Sequence, residues 1–150
     1  MSFTVYKSSA GSGKTFALVK EYLTIVLPSP EKFRHILAIT FTNKAANEMK
    51  ERIILSLKEI AGMNDNPNAK AVKYIVPDVS EYSGLSPQTL AVNAEKVLNS
   101  ILHDYSDFAI CTIDSFVHRV IRSFAFDLHL PLNFDVEMDT DELISKVVDI

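Results

Sequence analysis

The chain has 150 residues, of which 47% are hydrophobic and 23% are charged, a length and balance that allow one globular domain with its own core. The formal net charge of -4 excludes a globally basic surface, so any contact with nucleic acid must be local. The single cysteine, Cys111, excludes an internal disulfide, and in the absence of a signal peptide or an apolar run long enough to cross a bilayer we expect a cytoplasmic protein without membrane contact.

The chain begins with the pattern of a strand, a glycine-rich turn and a helix. Phe3 and Val5 belong to the predicted strand, and helical spacing of apolar residues is established from Leu18 onward. A glycine-rich turn in this context is typical of a P-loop, in which backbone N–H groups and the helix N-terminus hold nucleotide phosphates. The residues expected to bind ATP are Ser8, Ser9, Ala10, Gly11, Ser12, Gly13, Lys14, Thr15 and Phe16.

Two residues of this turn, Lys14 and Thr15, are the predicted catalytic residues. Lys14 would reach the β- and γ-phosphates, and the Thr15 hydroxyl would ligate Mg²⁺. Ser8 departs from the pattern G-x-x-x-x-G-K-[ST], which has glycine at that position, although a small residue can still make the turn. The alternative is a chance glycine-lysine turn before an ordinary helix, and the strand and helix on either side count against it.

A second strand and a long helix are predicted after a proline-containing break at residues 28–30. The run from His35 to Phe41 is almost continuously apolar, which predicts a parallel strand buried on both faces. Thr42 or Asn43 can cap the helix that follows. Apolar residues recur at helical spacing along that helix, and Gly62 is predicted to end it.

The middle of the chain is predicted to be mostly helical. A short helix is expected over residues 69–76, stopped by Pro77. Ser86 and Pro87 are typical of the N-cap and the first turn of another helix, which is longer and amphipathic. Residues 108–112 then predict a third strand.

An amphipathic helix is predicted to begin at Asp114 or Ser115. The residues predicted to point inward are Val117, Val120, Ile121, Phe124 and Leu128. The residues on or near its polar side are His118, Arg119 and Arg122, and solvation is the ordinary interpretation of the first two. Pro131 marks a break, followed by a short extended piece over residues 134–137 and a last helix over about residues 139–150. Because that helix stops in mid-pattern without a cap, we expect the chain to be part of a longer protein.

Two stretches that contain the carboxyl ends of the second and third predicted strands carry a family resemblance. Residues 36–53 have the sequence ILAITFTNKAANEMKERI, and residues 112–116 have the sequence TIDSF. Together with the P-loop, and in this order, they strongly resemble motifs in the amino-terminal motor domain of superfamily 1 DNA helicases of the UvrD/Rep type. The resemblance covers essentially the whole chain. The abrupt start at the first strand resembles the RecB and AddA branch of helicase–nuclease subunits.

The resemblance implies a RecA-like P-loop NTPase fold of the α/β class, with an incomplete parallel sheet flanked by helices. Residues 1–130 would form the front part of the first motor domain, and residues 131–150 would begin an inserted helical subdomain. The implied cofactors are ATP and Mg²⁺. The implied partners are single-stranded or duplex-end DNA, the remainder of the helicase chain and, in the RecB and AddA branch, a second helicase–nuclease subunit. No acidic Walker B segment follows a predicted strand, so we expect these residues alone to hydrolyse ATP poorly.

The resemblance also implies DNA contacts at the ends of the second and third strands. The residues concerned are Thr40, Phe41, Thr42, Asn43, Lys44, Thr112 and Ser115. An aromatic platform beside neutral hydrogen-bonding groups suits a motor that holds a strand without reading its sequence. From the residues alone, Phe41 could be a core residue, Asn43 only an N-cap and Lys44 only a solvated charge. A carboxylate would repel a DNA phosphate, so we interpret Asp114 as an N-cap or an orienting acceptor.

Two other function classes stay open from the residues alone. One is a different P-loop enzyme such as a small kinase, although no arginine-rich lid is present. The other is a nucleotide-dependent interaction module in which the helices at residues 87–103 and 115–128 dock a partner. His35 and His103 lack ligand partners at a spacing that would indicate zinc. A Walker B segment downstream of Ile150 would decide for the helicase, and a stop codon there would decide against it.

Overall fold

The structure is a computed structural model that describes Val5 and residues 13–129. Several predicted features lie outside the described residues: most of the first strand, residues 8–12 of the phosphate loop, the break at Pro131, the extended piece at 134–137 and the last helix. The chain divides into two compact units, Met1–Cys111 and Thr112–Ile150.

The described residues form a mixed α/β structure in which helices predominate. The elements are α1 (Lys14–Val26), a 3-10 helix (Pro30–His35), β1 (Ala38–Thr40), α2 (Asn43–Ala61), α3 (Lys70–Tyr74), α4 (Val76–Ser83), α5 (Pro87–His103), a second 3-10 helix (Tyr105–Asp107), β2 (Ile110–Thr112) and α6 (Ile113–Ser123). β1 and β2 pair as a short parallel sheet. The Ala38 N–H donates a hydrogen bond to the carbonyl of Ala109 at 3.0 Å, just before β2. The predicted α/β class is therefore confirmed at this coarse level.

The core of the first unit lies between α1, α2 and α5. α2 packs along α5, while α1 contacts both α2 and the first 3-10 helix. Apolar side chains at helical spacing meet between these elements and are removed from water. The largest fully buried ones include Leu23, Leu27, Phe33, Ile53, Leu57, Ile60, Ile75, Leu90 and Ile101. This core sets the directions of α1 and α2, whose N-termini carry two of the predicted functional loops.

Helix limits that depend on a strong cap agree with the prediction. The Thr42 hydroxyl accepts a hydrogen bond from the Ala45 N–H at 3.1 Å, so Thr42 rather than Asn43 caps α2, and Gly62 follows its end. Ser86 caps α5 in the same way, with Pro87 in the first turn. A cap of this kind contributes about 1 kcal/mol, which is enough to decide where a helix begins.

The helix predicted over residues 69–76 is wrong in its C-terminal limit. Two helices, α3 and α4, occupy this region, and Pro77 lies in the first turn of α4 instead of stopping a helix. Proline is tolerated there because the missing N–H would have no partner inside the helix and the fixed φ is already helical. Gly84 follows α4 with φ of 71°, a left-handed conformation that suits glycine at a helix end.

The second and third predicted strands, which correspond to β1 and β2, are shorter in the structure than the sequence predicts. His35 ends the first 3-10 helix, and Phe108 is buried but precedes β2. Leu37 and Ile39 are each 44% exposed, so the prediction of a strand buried on both faces is wrong for the described residues. The apolar run indicates which side chains suit a buried strand. It does not show whether other elements cover the strand. Within the described residues, β2 is the one strand that pairs with β1.

α6 differs from its prediction at its start and in its burial. Its N-cap is Thr112, not Asp114 or Ser115. None of the helix residues is buried, although the predicted inward side was apolar. Val117, Val120 and Phe124 are exposed, Ile121 is half-buried, and Leu128 is exposed beyond the end of the helix. Amphipathic spacing identifies the apolar side of a helix correctly, but it cannot show whether anything covers that side.

Candidate nucleotide and DNA sites

Of the predicted phosphate loop, the structure describes the part at the N-terminus of α1. Gly13 is the N-cap residue, with φ of 83°, in the left-handed region that glycine adopts without steric cost. Among the described residues no side chain caps this helix, and its first turn holds no acidic residue. Its first N–H groups and the positive end of its dipole therefore suit an anion such as phosphate.

The next three predicted nucleotide-binding residues form the first turn of α1. The Lys14 side chain is exposed and Thr15 is half-buried. Phe16 is half-buried and packs against the core, with the Lys70 ammonium 4.9 Å from its ring centroid. The structure thus places Gly13, Lys14 and Thr15 together at the helix N-terminus. Phe16 belongs to the same turn, but its ring contributes to packing.

The turn between β1 and α2 presents an aromatic ring to solvent. Phe41 is 87% exposed, so the interpretation of Phe41 as a core residue is wrong. Thr42, Asn43 and Lys44 are exposed as well. The ring therefore offers an open face for stacking, and the adjoining residues offer hydrogen-bond donors and a positive charge.

Local hydrogen bonds fix the backbone of this turn. The Thr40 hydroxyl donates to the Thr42 carbonyl at 3.0 Å, while the Thr42 hydroxyl caps α2. Because Thr42 is the cap, Asn43 is the first residue of the helix and its side chain does not serve as the cap. The exposed Phe41 ring thus lies between two threonines whose hydroxyls are already hydrogen-bonded within the turn.

The third predicted loop lies in the second unit, at the start of α6. Thr112 is buried, and its hydroxyl accepts a hydrogen bond from the Ser115 N–H at 3.2 Å and donates one to Ser115 Oγ at 2.8 Å. Thr112 is thereby the helix cap, and Ser115 is the exposed member of the pair. Asp114 lies in the first turn, so its prediction as an N-cap is wrong. A carboxylate at that position still interacts favourably with the helix dipole.

One buried polar side chain, Tyr22, was given no role by the sequence. Its hydroxyl is buried and has no hydrogen-bond partner among the described residues. Burial raises the pKa of this hydroxyl well above its ordinary value, because the ionised form would lose its hydration. The ring packs edge-on against Phe108, with 5.9 Å between the ring centroids. A tyrosine at a helical core position gives no sequence signal that distinguishes this state from ordinary packing.

Metal and membrane sites are not found in the described part of the chain. No group of three or more metal-ligating side chains comes together among residues 13–129. No described helix is both long enough and apolar enough to span a bilayer. The candidate sites in this part of the chain are the N-terminus of α1, the exposed ring before α2 and the start of α6.

Comparison with known proteins gives one family. Residues 3–149 match the UvrD/REP helicase N-terminal domain. The chain is 32% identical over 142 residues to an ATP-dependent helicase/nuclease subunit of Thermoanaerobacter sp. (strain X514), a match that covers 93% of this chain and 9% of that protein. No solved structure matches the chain.

Two other relatives are similar over shorter stretches. The chain is 45% identical over 58 residues to ATP-dependent DNA helicase Rep of Escherichia coli (strain K12), which is 37% of this chain and 9% of that protein. It is 48% identical over 54 residues to RecBCD enzyme subunit RecB of Chlamydia trachomatis serovar D, which is 35% of this chain and 5% of that protein. The chain therefore spans less than a tenth of the length of each of these relatives.

Proposed function

This chain belongs to the UvrD/REP helicase N-terminal domain family, and we propose that it is the ATP-binding front part of the first motor domain of an ATP-dependent DNA helicase. The proposed fold is the RecA-like P-loop fold, with β1 and β2 as two of its parallel strands. The helicase would act on single-stranded DNA and at duplex ends, in the cytoplasm, during recombination or double-strand-break repair. The names of the helicase/nuclease and RecB relatives support that setting.

One observation carries the proposal, namely the 87% exposed ring of Phe41 at the carboxyl end of β1. A motor that moves along a strand must hold bases without reading their identity. Stacking on an aromatic ring does this, because every base has a π-face. Asn43 and Lys44, which follow the ring by two and three residues, would contact neighbouring phosphates.

We propose a further DNA contact in the second unit, at the start of α6. The exposed Ser115 hydroxyl would donate a hydrogen bond to a phosphate oxygen. Thr112 would position it, since the two hydroxyls are 2.8 Å apart. Thr40 and Thr42 would hold the turn before α2 in shape through their own hydrogen bonds, and the exposed Phe41 ring between them would stack on a base of the DNA.

We place ATP at the N-terminus of α1. Bound with Mg²⁺, ATP supplies the phosphoryl group whose transfer to water drives movement. The Gly13–Phe16 backbone would donate hydrogen bonds to phosphate oxygens, and residues 8–12 would complete the loop. Lys14 would balance the negative charge of the β- and γ-phosphates, and the Thr15 hydroxyl would ligate the metal ion.

The remaining catalytic groups would come from other parts of the helicase. The 150-residue sequence has no acidic Walker B segment after a strand, and the family resemblance implies an arginine finger from a second motor domain. The rest of the helicase chain is therefore the first proposed partner, and a second helicase–nuclease subunit is the next. In this proposal the described residues bind and orient the nucleotide but do not complete its hydrolysis.

DNA-stimulated ATP hydrolysis by the full-length protein tests this function. We expect single-stranded DNA to stimulate hydrolysis, and we expect Lys14→Ala to remove both the basal and the stimulated rate. A rate that is indifferent to DNA would refute the proposal. Transfer of the γ-phosphoryl group to a small-molecule acceptor would instead assign the chain to the kinase class.

A further inference from the structure

Two arginines on α6 take no part in the sites described above. The chain has four arginines, at positions 34, 52, 119 and 122. Arg34 and Arg52 form ion pairs with carboxylates of the first unit. Arg119 and Arg122 are exposed, and neither forms an ion pair with any residue in the described ranges. Their charges are therefore not used to hold the described fold together.

These two arginines continue a line of side chains that begins at Ser115. Positions 115, 119 and 122 are separated by four and then three residues, which puts them on one side of the helix with about 5–6 Å between successive Cβ atoms. At about 1.5 Å of rise per residue, the line is roughly 10 Å long. Because Ser115 is the residue for which a phosphate contact is proposed, the arginines extend outward from that contact.

The opposite side of α6 is apolar and determines which side is left for a ligand. Ile113, Val117, Val120 and Phe124 follow one another by four, three and four residues, and each is 38–55% exposed. Burial of such a stripe against a protein layer is the main force that orients an amphipathic helix. When that side is covered, the side that carries Arg119 and Arg122 remains in solvent.

The charge along this part of α6 favours an anionic ligand. The chain as a whole is acidic, yet residues 115–126 contain two arginines and a histidine but no carboxylate. Asp114 and Asp127 lie just outside this stretch. Like charges one helical turn apart repel each other and destabilise a helix. An anion between the arginines removes that repulsion, and the guanidinium group matches phosphate with paired N–H donors.

We propose that Arg119 and Arg122 bind phosphates of the same DNA strand that Ser115 contacts. The contacts would be sequence-independent, since they involve only the backbone of the strand. This inference rests on the proposed helicase function, because it takes single-stranded DNA as the ligand. It adds two positioning residues to the proposed contact at Ser115 and extends that contact along two turns of α6.

The salt dependence of single-stranded DNA binding by the full-length protein tests this inference. On single strands, each phosphate contact contributes about 0.7 to the slope of log affinity against log salt concentration. The double variant Arg119→Gln/Arg122→Gln should therefore lower the slope by about 1.4. Its affinity deficit against the unaltered protein should shrink about sevenfold between roughly 50 and 200 mM salt.

Two further double variants serve as controls. Lys73→Gln/Lys96→Gln removes the same total charge from exposed positions on α3 and α5, so its slope should equal that of the unaltered protein. Arg119→Lys/Arg122→Lys keeps the charge on α6 and should keep most of the slope. All three should melt at the unaltered temperature, because the substituted side chains are exposed.

The outcomes separate this inference from the proposed function. An unchanged slope in Arg119→Gln/Arg122→Gln, together with weaker DNA binding by Phe41→Ala, would overturn the arginine assignment and leave the helicase proposal standing. Normal DNA binding by both variants would overturn the arginine assignment and the DNA role of Phe41, whereas an ATPase rate indifferent to DNA is the result that would overturn the helicase proposal. A normal DNA slope with weakened association with another protein of the helicase complex would assign the arginines to a protein contact and overturn the inference.

Discussion

Replacing Phe41 with alanine separates DNA binding from folding. Because the side chain is 87% exposed, its removal should change the free energy of unfolding by no more than about 0.5 kcal/mol. One stacked base contributes about 1–3 kcal/mol to binding. That loss corresponds to about 5- to 150-fold weaker binding of single-stranded DNA by the full-length protein.

The same variant should affect the two ATPase rates unequally. Phe41 lies at the end of β1 and outside the phosphate loop, so the DNA-stimulated rate should fall more than the basal rate. Stacking is largely uncharged, so the salt slope of DNA affinity should not change. Lys44→Ala should instead lower that slope by about 0.7, the contribution of one phosphate contact on a single strand.

A fluorescence titration with a labelled oligonucleotide, repeated at several salt concentrations, measures these effects. Tyr82→Ala is the matched control, because Tyr82 is a 78% exposed aromatic residue on α4 and has no proposed DNA role. Phe41→Trp keeps a stacking surface and should keep most of the affinity. If Phe41→Ala binds DNA normally but melts at a lower temperature, Phe41 is a structural residue and the DNA role of this loop is wrong.

Three further results are expected. Lys14→Ala should abolish ATP binding, measured by calorimetry at fixed Mg²⁺, without lowering the melting temperature, because its side chain is exposed; unchanged ATP affinity would contradict its assigned role. Residues 1–150 alone should hydrolyse ATP negligibly with or without DNA, since an arginine finger by itself is worth about 10³–10⁵ in rate; robust turnover would show that the site is complete. Tyr22→Phe should raise the free energy of unfolding by roughly 1 kcal/mol in a denaturant titration, because it removes a buried hydroxyl that has no partner in the described ranges. Above about pH 10 the unaltered protein should lose stability relative to this variant, because Tyr22 ionises in the unfolded chain while burial raises its pKa in the folded one; a destabilised variant would show that the hydroxyl is satisfied.

Helix limits are predictable from the sequence where a local interaction determines them. Thr42 and Ser86 cap α2 and α5 through bonds to backbone N–H groups three residues away, so the signal lies within a few neighbouring positions. Pro77 shows the limit of such rules, because proline fits a first helical turn as well as it stops a helix. Local spacing does not decide between the two.

Burial is harder to predict, because it depends on distant parts of the chain. Leu37 and Ile39 have the pattern of a buried strand, and Val117 has that of a buried helix side, yet all three are exposed in the structure. The pattern records apolar character, whereas burial requires a covering layer that single positions do not encode.

The candidate site was predictable to different degrees. The glycine-lysine turn predicts by spacing alone that the N-terminus of α1 binds phosphate, and this stays a prediction. Periodicity favoured a core role for Phe41, and only the resemblance to helicases indicated a role in binding. The structure agrees with exposure of the ring. Arg119 and Arg122 belong to no motif in the sequence. Their interest comes from a comparison, because Arg34 and Arg52 form ion pairs while Arg119 and Arg122 form none with the residues that the structure describes.

Movement along single-stranded DNA distinguishes a helicase motor from other ATP-binding proteins, and it can be measured as displacement of streptavidin from the biotinylated end of an oligonucleotide. We expect the full-length protein to displace streptavidin only when ATP and Mg²⁺ are present. Lys14→Ala should abolish displacement, and Phe41→Ala should slow it while leaving ATP binding intact. A protein that binds both ATP and single-stranded DNA but displaces nothing at any ATP concentration would contradict its assignment as a DNA motor.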